Sequence, residues 1–225
     1  MLFRSSELRP KAWVKIDKPY PWGAKWTIVP ECLTLEAKIL HQFYDKSKIM
    51  MGILPTGATP TAHNQRLSSV FWSMPTDQLR NFLQDNQSRS DWLKVVSKRW
   101  KPAAEWLEQV IANPEEKQQW FAANYRDVVM SKFGEGRIGV LGDAAHAMSP
   151  QLGQGANMAL LDAWALGQAV EISKNNNSID HVKLWQTYHQ HRQSSTAFYQ
   201  FLSRLLTPLY LSDLWWAGAF RDLTF

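Results

Sequence analysis

The sequence predicts a mixed fold, α+β with an α/β element: an antiparallel sheet with helices first, then one buried strand and long helices. Three observations predict it. Short runs rich in β-branched and aromatic residues crowd the first third, bounded by polar or Gly/Pro turns. Periodic apolar stretches with cap-type residues fill the middle. In the last third the apolar run "RIGVLG" (Arg137 to Gly142) halts at Asp143, and a glycine-containing loop then leads into an almost wholly apolar helical stretch.

Taken in order, Trp22 to Pro30, Lys38 to Tyr44, Lys48 to Gly57 and Ser68 to Pro75 read as strands. The polar connector "YDKSK" makes the second and third an antiparallel hairpin. A sheet of this kind keeps one face available for a ligand or a neighbouring domain. Trp22, Trp26, Phe71 and Trp72 either line a cavity there or pack the sheet, and alternation alone leaves both readings open. "TDQLRNFLQ" then reads as a helix capped by Thr76. "SDWLKVVSKRW" and "PAAEWLEQVIA" read as two more, the second opening on Pro102 at a favoured first-turn position and stopping at Asn113-Pro114. "WFAANYRDVVMSKF" returns to strand character.

"RIGVLG" is apolar on both faces, as a strand inside a parallel sheet is. A long helical stretch from about Ile179 to Leu206 follows "NNNS". The sequence offers few other parallel strands and no β-loop-α unit near its start. An interior strand without neighbours leaves a ladder of unpaired backbone groups, so the expectation is part of a larger architecture.

Composition narrows the function classes. The chain has 225 residues, 45% of them hydrophobic, with a net charge of +5 whose acids and bases are interspersed. The densest basic stretch, "SKRWK", reads as a solvated helix face, so no nucleic-acid partner is expected. Twelve tryptophans suggest a large aromatic cavity, a broad interface, a membrane-facing surface or simply ordinary core and sheet residues. Cys32 alone excludes an internal disulfide and fits a reducing, cytoplasmic setting. The opening "MLFRSSELRPK" has no signal-like apolar stretch, and no run reaches the length of a membrane span. The tail "FLSRLLTPLYLSDLWWAGAF" is the most membrane-like segment. Arg204, Pro208 and Asp213 interrupt it, which favours packing against a domain or partner over an interfacial helix.

The chemistry concentrates in "GDAAHAMSPQLGQGAN". A strand end is where ligands sit in α/β sheets, and Gly142 permits a tight turn there. An ionised Asp143 accepts hydrogen bonds only, which suits the vicinal hydroxyls of a sugar. The segment from Pro150 to Gly155 delivers the chain to a helix start near Ala156-Asn157, whose free N–H groups favour an anion or a carbonyl oxygen gaining charge. The plain alternative is an ordinary β-loop-α unit with a capping Asp.

The stretch resembles the second flavin motif of the FAD-dependent aromatic hydroxylases, the p-hydroxybenzoate hydroxylase-like (class A) monooxygenases. Their pattern, G-D-A-A-H, Pro, G-x-G-x-N, A-x-x-D-A, is met by Gly142, Asp143, Ala144, Ala145, His146, Pro150, Gly153, Gly155, Asn157, Ala159, Asp162 and Ala163. "YPWGAKWTIVP", "GILPTG" and "VFWSMP" look like the substrate-domain sheet of one branch, and "LTPLYLSD" with the closing "RD" like its C-terminal helices. The resemblance implies a substrate-binding sheet and helices over 1–124. It makes 125–225 the C-terminal part of an FAD-binding domain with C-terminal helices. It implies FAD as cofactor, held by Gly142, Asp143, Pro150, Gly153, Gly155, Ala156 and Asn157. Asp143 would meet the ribitol or ribose region, Pro150 the wall beside the ring, and the helix start the pyrimidine edge, where reduced flavin is anionic. The implied reaction is NAD(P)H reduction of the flavin, then dioxygen capture as a C4a-hydroperoxide that hydroxylates or epoxidises a small apolar or aromatic substrate.

The family also opens with a strand running into G-x-G-x-x-G and a helix, and carries a middle D-G motif; no such opening unit and no D-G motif are read in these 225 residues. The resemblance is therefore to the C-terminal portion of such an enzyme, lacking its N-terminal βαβ part. A completing chain or oligomer is one expectation, and a non-catalytic remnant or interaction subunit of the fold is the alternative. Two further constellations carry less. Asp143, His146 and Ser149 share one loop without a nucleophile elbow, against a hydrolase triad. His189 and His191, two apart on a helix, point to different faces, against a metal site.

Overall fold

A computed structural model describes residues 9–31, 35–36, 38–59, 62–82, 86–111, 119–176 and 178–224. Cys32, the Asn113-Pro114 helix stop and the last asparagine of the "NNNS" tract lie outside the described residues. The chain divides into two compact units. One holds the described residues of Met1–Tyr20 with Tyr125–Thr207, the other those of Pro21–Asn124 with Pro208–Phe225.

The second unit carries the antiparallel sheet. Its strands are β1 (Val14–Pro30), β2 (His41–Asp45), β3 (Ile49–Thr59), β4 (Ala62–Pro75) and, after helices α1 (Asn86–Arg99) and α2 (Lys101–Ile111), β5 (Phe121–Met130). They lie in the order β2-β3-β4-β1-β5, with β1 and β5 running on into the first unit. The expected hairpin is present, with Phe43 opposite Met51, and Trp26 of β1 opposes Phe71 of β4. One face of the sheet is sealed by the two helices. Met51, Ile53, Val70 and Trp72 pack with Trp92, Val96, Ala103 and Leu107 in one core. In α2 the buried positions are 103, 104, 106, 107 and 110, the stripe that a 3.6-residue period presents to a core. Trp72 meets Trp92 edge to face at 5.6 Å, so this tryptophan packs the sheet rather than lining an open cavity.

The helix expected from Thr76 is not formed over Thr76–Phe82, which makes successive turns. Thr76 is tied back to β1 instead: its hydroxyl and its amide both donate to the Pro21 carbonyl, at 3.1 and 2.9 Å.

In the first unit, β5 leads to a hairpin of β6 (Gly134–Glu135) and β7 (Ile138–Gly139), then to α3 (Asp143–His146) and α4 (Gly155–Ser173). A second two-residue hairpin, β8 (Lys174–Asn175) with β9 (Ser178–Ile179), precedes the 30-residue α5 (His181–Tyr210). Here the expectation of a strand inside a parallel sheet is corrected. Among the described residues "RIGVLG" contributes only β7, paired antiparallel with β6, and Ile138 is half exposed at 51%. Both faces of the run are apolar, but no parallel neighbour stands beside it among the described residues. The hairpin is pinned instead by Trp185 of α5. Cβ atoms added to Gly134 and Gly139 would fall 2.1 and 2.0 Å from its ring, closer than any side chain tolerates.

The tail packs within the second unit. It continues from α5 into α6 (Ala217–Thr224). Gly218 approaches the backbone of Lys46, Arg221 donates to the Lys46 carbonyl at 2.7 Å, and its guanidinium lies 4.5 Å from the Tyr44 ring centre. Among the described residues no helix is long and apolar enough to cross a membrane.

Candidate functional site

The motif loop is built from backbone outward. Val140 is buried and its amide donates to the Phe133 carbonyl, bringing the chain to Gly142. Gly142 has φ 54° and ψ −141°, a combination open essentially to glycine alone. Its carbonyl accepts the Ala145 and His146 amides, both at 2.9 Å, which winds the single turn of α3 and sets Asp143 at its start. The loop is tied down behind. The Val128 amide of β5 donates to the Ala147 carbonyl, and the Ser203 hydroxyl of α5 donates to the Ser149 carbonyl.

Pro150 is exposed and opens a 3-10 turn, Pro150–Leu152, a position where its missing N–H costs nothing. The turn closes on Gly153, left-handed at φ 61°, whose amide returns to the Pro150 carbonyl. Helix α4 then begins. No side-chain cap bonds at Gln154, and the Met158 amide is the one that reaches the Gln154 carbonyl. The residues ahead of it, Gly155, Ala156 and Asn157, are all exposed. An added Cβ on Gly153 would meet nothing within 4 Å, and one on Gly155 would meet only Asp143 Oδ1, at 4.0 Å. The structure thus brings together the residues singled out in the sequence: Asp143 stands beside the amide-bearing end of α4, with glycine where the approach is open.

Sequence reasoning assigned no role to the cluster that supports this loop. Asp162 of α4 is fully buried. One carboxylate oxygen accepts the Gly142 amide at 2.7 Å and faces His146 Nε2 at 2.6 Å. The other accepts Arg192 Nε, also at 2.6 Å. Arg192 donates further to the Met158 carbonyl and the Ser195 hydroxyl. Burial by itself pushes the Asp162 carboxyl up; His146, Arg192 and the Gly142 amide together outweigh it and hold it below the ordinary carboxylate value. Burial, reinforced by Asp162, pushes the neighbouring Tyr188 hydroxyl well up. A signal was present: Leu184, Tyr188, Arg192, Thr196, Gln200, Ser203 and Thr207 fall three or four apart, and all are buried. An arginine on the inward period of a helix calls for a buried carboxylate.

The other constellations do not assemble. His146 is engaged with Asp162, and among the described residues the buried Ser149 hydroxyl oxygen has no hydrogen-bond partner, so no nucleophile–base pair forms there. The His189 ring lies beside Phe133 and the His191 ring beside Trp164, on different sides of α5. Among the described residues no group of three or more candidate ligands could hold a metal ion.

The FAD binding domain family matches residues 51–198, more than half of the chain. This chain belongs to that FAD-binding family. Its similarity extends to 3-hydroxybenzoate 6-hydroxylase of Polaromonas naphthalenivorans, 34% identical over 102 residues, 45% of this chain and 24% of that protein. A shorter match to 2-heptyl-3-hydroxy-4(1H)-quinolone synthase of Pseudomonas aeruginosa reaches 64% over 33 residues, 15% of this chain and 9% of that protein. Among solved structures, PqsL of P. aeruginosa, described as a probable FAD-dependent monooxygenase, aligns with a TM-score of 0.70 at 18% identity. That alignment takes in 92% of this chain and 53% of PqsL. HpxO of Klebsiella pneumoniae, solved with FAD and uric acid, aligns with a TM-score of 0.69 at 16% identity, over 92% of this chain and 49% of HpxO. The chain spans about half the length of these structural relatives and shares their fold. The family match takes in both the Gly142–Asn157 loop and the supporting Asp162–Arg192 cluster.

Proposed function

We propose that this chain forms one wall of the flavin site of an FAD-dependent monooxygenase acting on a small apolar or aromatic molecule. When bound, FAD would take electrons from NAD(P)H and activate dioxygen for hydroxylation or epoxidation, chemistry that belongs to the cofactor. The residues fit that group. The Asp143 carboxylate would accept hydrogen bonds from sugar or ribityl hydroxyls. The amides of Gly155, Ala156 and Asn157 would face the ring's pyrimidine edge and stabilise negative charge there. Gly153 and Gly155 would let a flat ring approach the backbone closely, and Pro150 would form part of the wall beside it. The sheet of the second unit would bind the substrate.

The observation that carries this reading is the placing of Asp143 beside the glycine that starts α4, Oδ1 being 4.0 Å from the Cβ position of Gly155. The aromatic relatives add the substrate class: a hydroxybenzoate hydroxylase by name, and a structure solved with uric acid. The proposal includes a completing segment or chain that holds the adenosine diphosphate: the one G-x-G-x-x-G run of the sequence, Gly134 to Gly139, forms the β6–β7 hairpin and does not lead from a strand into a helix. Large exposed apolar side chains on α4 and α5, Leu160, Trp164, Phe198, Phe201 and Leu205, support that covering element. The test is direct: equilibrate the purified chain with FAD, remove free ligand by rapid gel filtration, and record the visible spectrum. Flavin absorbance co-eluting with the protein is expected, and colourless protein at every FAD concentration refutes flavin binding by this chain alone.

A further inference from the structure

We infer that Asp162 is a positioning residue for the flavin loop, acting through the Gly142 backbone and itself oriented by Arg192; this rests on the flavin reading above. Asp162 touches none of the exposed loop residues. It is fully buried on α4, and its two oxygens meet three groups, two from α3 and its N-cap and one from α5. One oxygen takes the Gly142 amide and faces His146 of α3; the other takes Arg192 of α5. Gly142 is the residue whose unusual backbone turns the chain into α3, and Asp143 is attached directly to it. The direction in which Asp143 points is therefore set by a bond from Gly142 to a carboxylate one loop and two helical turns away in sequence.

Packing alone does not explain this arrangement. Met158, Ala165 and Tyr188 beside the cluster on α4 and α5 are all buried, so apolar residues in place of both Asp162 and Arg192 would suit the surroundings. Replacing a buried ion pair by packed apolar groups is often neutral or stabilising. What an apolar residue does not supply is an acceptor for the Gly142 amide and a fixed direction for it. Arg192 supplies that direction. Its bonds to the Met158 carbonyl and the Ser195 hydroxyl lock the guanidinium, and the guanidinium locks the carboxylate.

The test uses the full chain with FMN as probe, because the ring and ribityl end are what these residues would hold. FMN affinity is read by fluorescence quenching, and the environment of the Gly142 amide by hydrogen exchange in the ligand-free protein. Asp162→Asn offers one acceptor oxygen where the carboxylate serves donors on both. The expected result is faster exchange at Gly142 and FMN affinity reduced about tenfold, the scale of one charge-assisted hydrogen bond. Arg192→Met follows Asp162→Asn, and Arg192→Lys, which keeps the charge, falls between it and wild type. Leu184→Ala, a cavity on the same helix away from the cluster, lowers stability yet leaves FMN affinity unchanged. Wild-type affinity in Asp162→Asn overturns the assignment, as does an affinity loss in Leu184→Ala that tracks stability alone. Failure of the wild type to bind FMN overturns the flavin reading itself, and is distinguished by appearing before any substitution is made.

Discussion

Asp143 Oδ1 stands 4.0 Å from the point where a side chain on Gly155 would begin, and among the described residues no other atom beyond the helix backbone and the neighbouring Gln154 and Ala156 comes as close. The loop thus separates folding from binding at one position. Gly155→Ala adds a methyl group that the fold accommodates and that a helix prefers, so stability should hold or rise by up to about 1 kcal/mol in a urea titration. The same methyl group sits on the proposed approach to the ring. Flavin affinity, measured in parallel, should fall while stability does not.

Gly142→Ala should behave differently, losing both. The φ 54°, ψ −141° conformation excludes a Cβ, and forcing one there costs about 1–3 kcal/mol. A urea midpoint lowered by that amount, together with lost flavin binding, is the expected outcome. Unchanged stability would mean that the turn relaxes at no cost and that the loop geometry is not fixed by Gly142.

Trp72→Ala probes the alternative use of the aromatic residues. Trp72 contacts Trp92 and Trp100 edge to face in the core of the sheet unit. Truncation should cost about 3–5 kcal/mol, as for other large buried aromatics. FMN affinity of the folded fraction should not change, since the proposed ring contacts all lie on the loop and α4.

Acid should loosen the buried cluster. The Asp162 carboxyl is held below its ordinary value of 3.8 in the folded chain. A depressed folded value means that its contribution is complete above the unfolded value and is lost as pH falls through the folded one. Stability measured from pH 6 downward should therefore drop at and below about pH 4, and Asp162→Asn should flatten part of that drop. An identical acid profile in the variant would show that the carboxylate is not ionised in its buried site.

The sequence made the sheet legible because β-branched and aromatic runs and the "YDKSK" connector are local signals, and the hairpin of β2 and β3 formed where they placed it. The motif loop was legible because glycines at 142, 153 and 155 carry their own conformational meaning. Two features were not legible, for the same reason. Thr76 turned to the Pro21 carbonyl, and "RIGVLG" formed a two-residue hairpin under Trp185; each depends on a partner distant in sequence. Asp162 stood in the motif pattern without a role, and its partner Arg192, 30 positions on, gave only a weak hint, an arginine on the inward period of a long helix.

The most direct test of the central claim is the affinity of the chain for FMN and for FAD, measured by flavin fluorescence quenching with wild type and Asp143→Ala. If Asp143 and the end of α4 hold the ring and ribityl region, wild type binds the two flavins with similar affinity, and Asp143→Ala weakens both about tenfold or more without unfolding. Equal affinities in wild type and variant would contradict it.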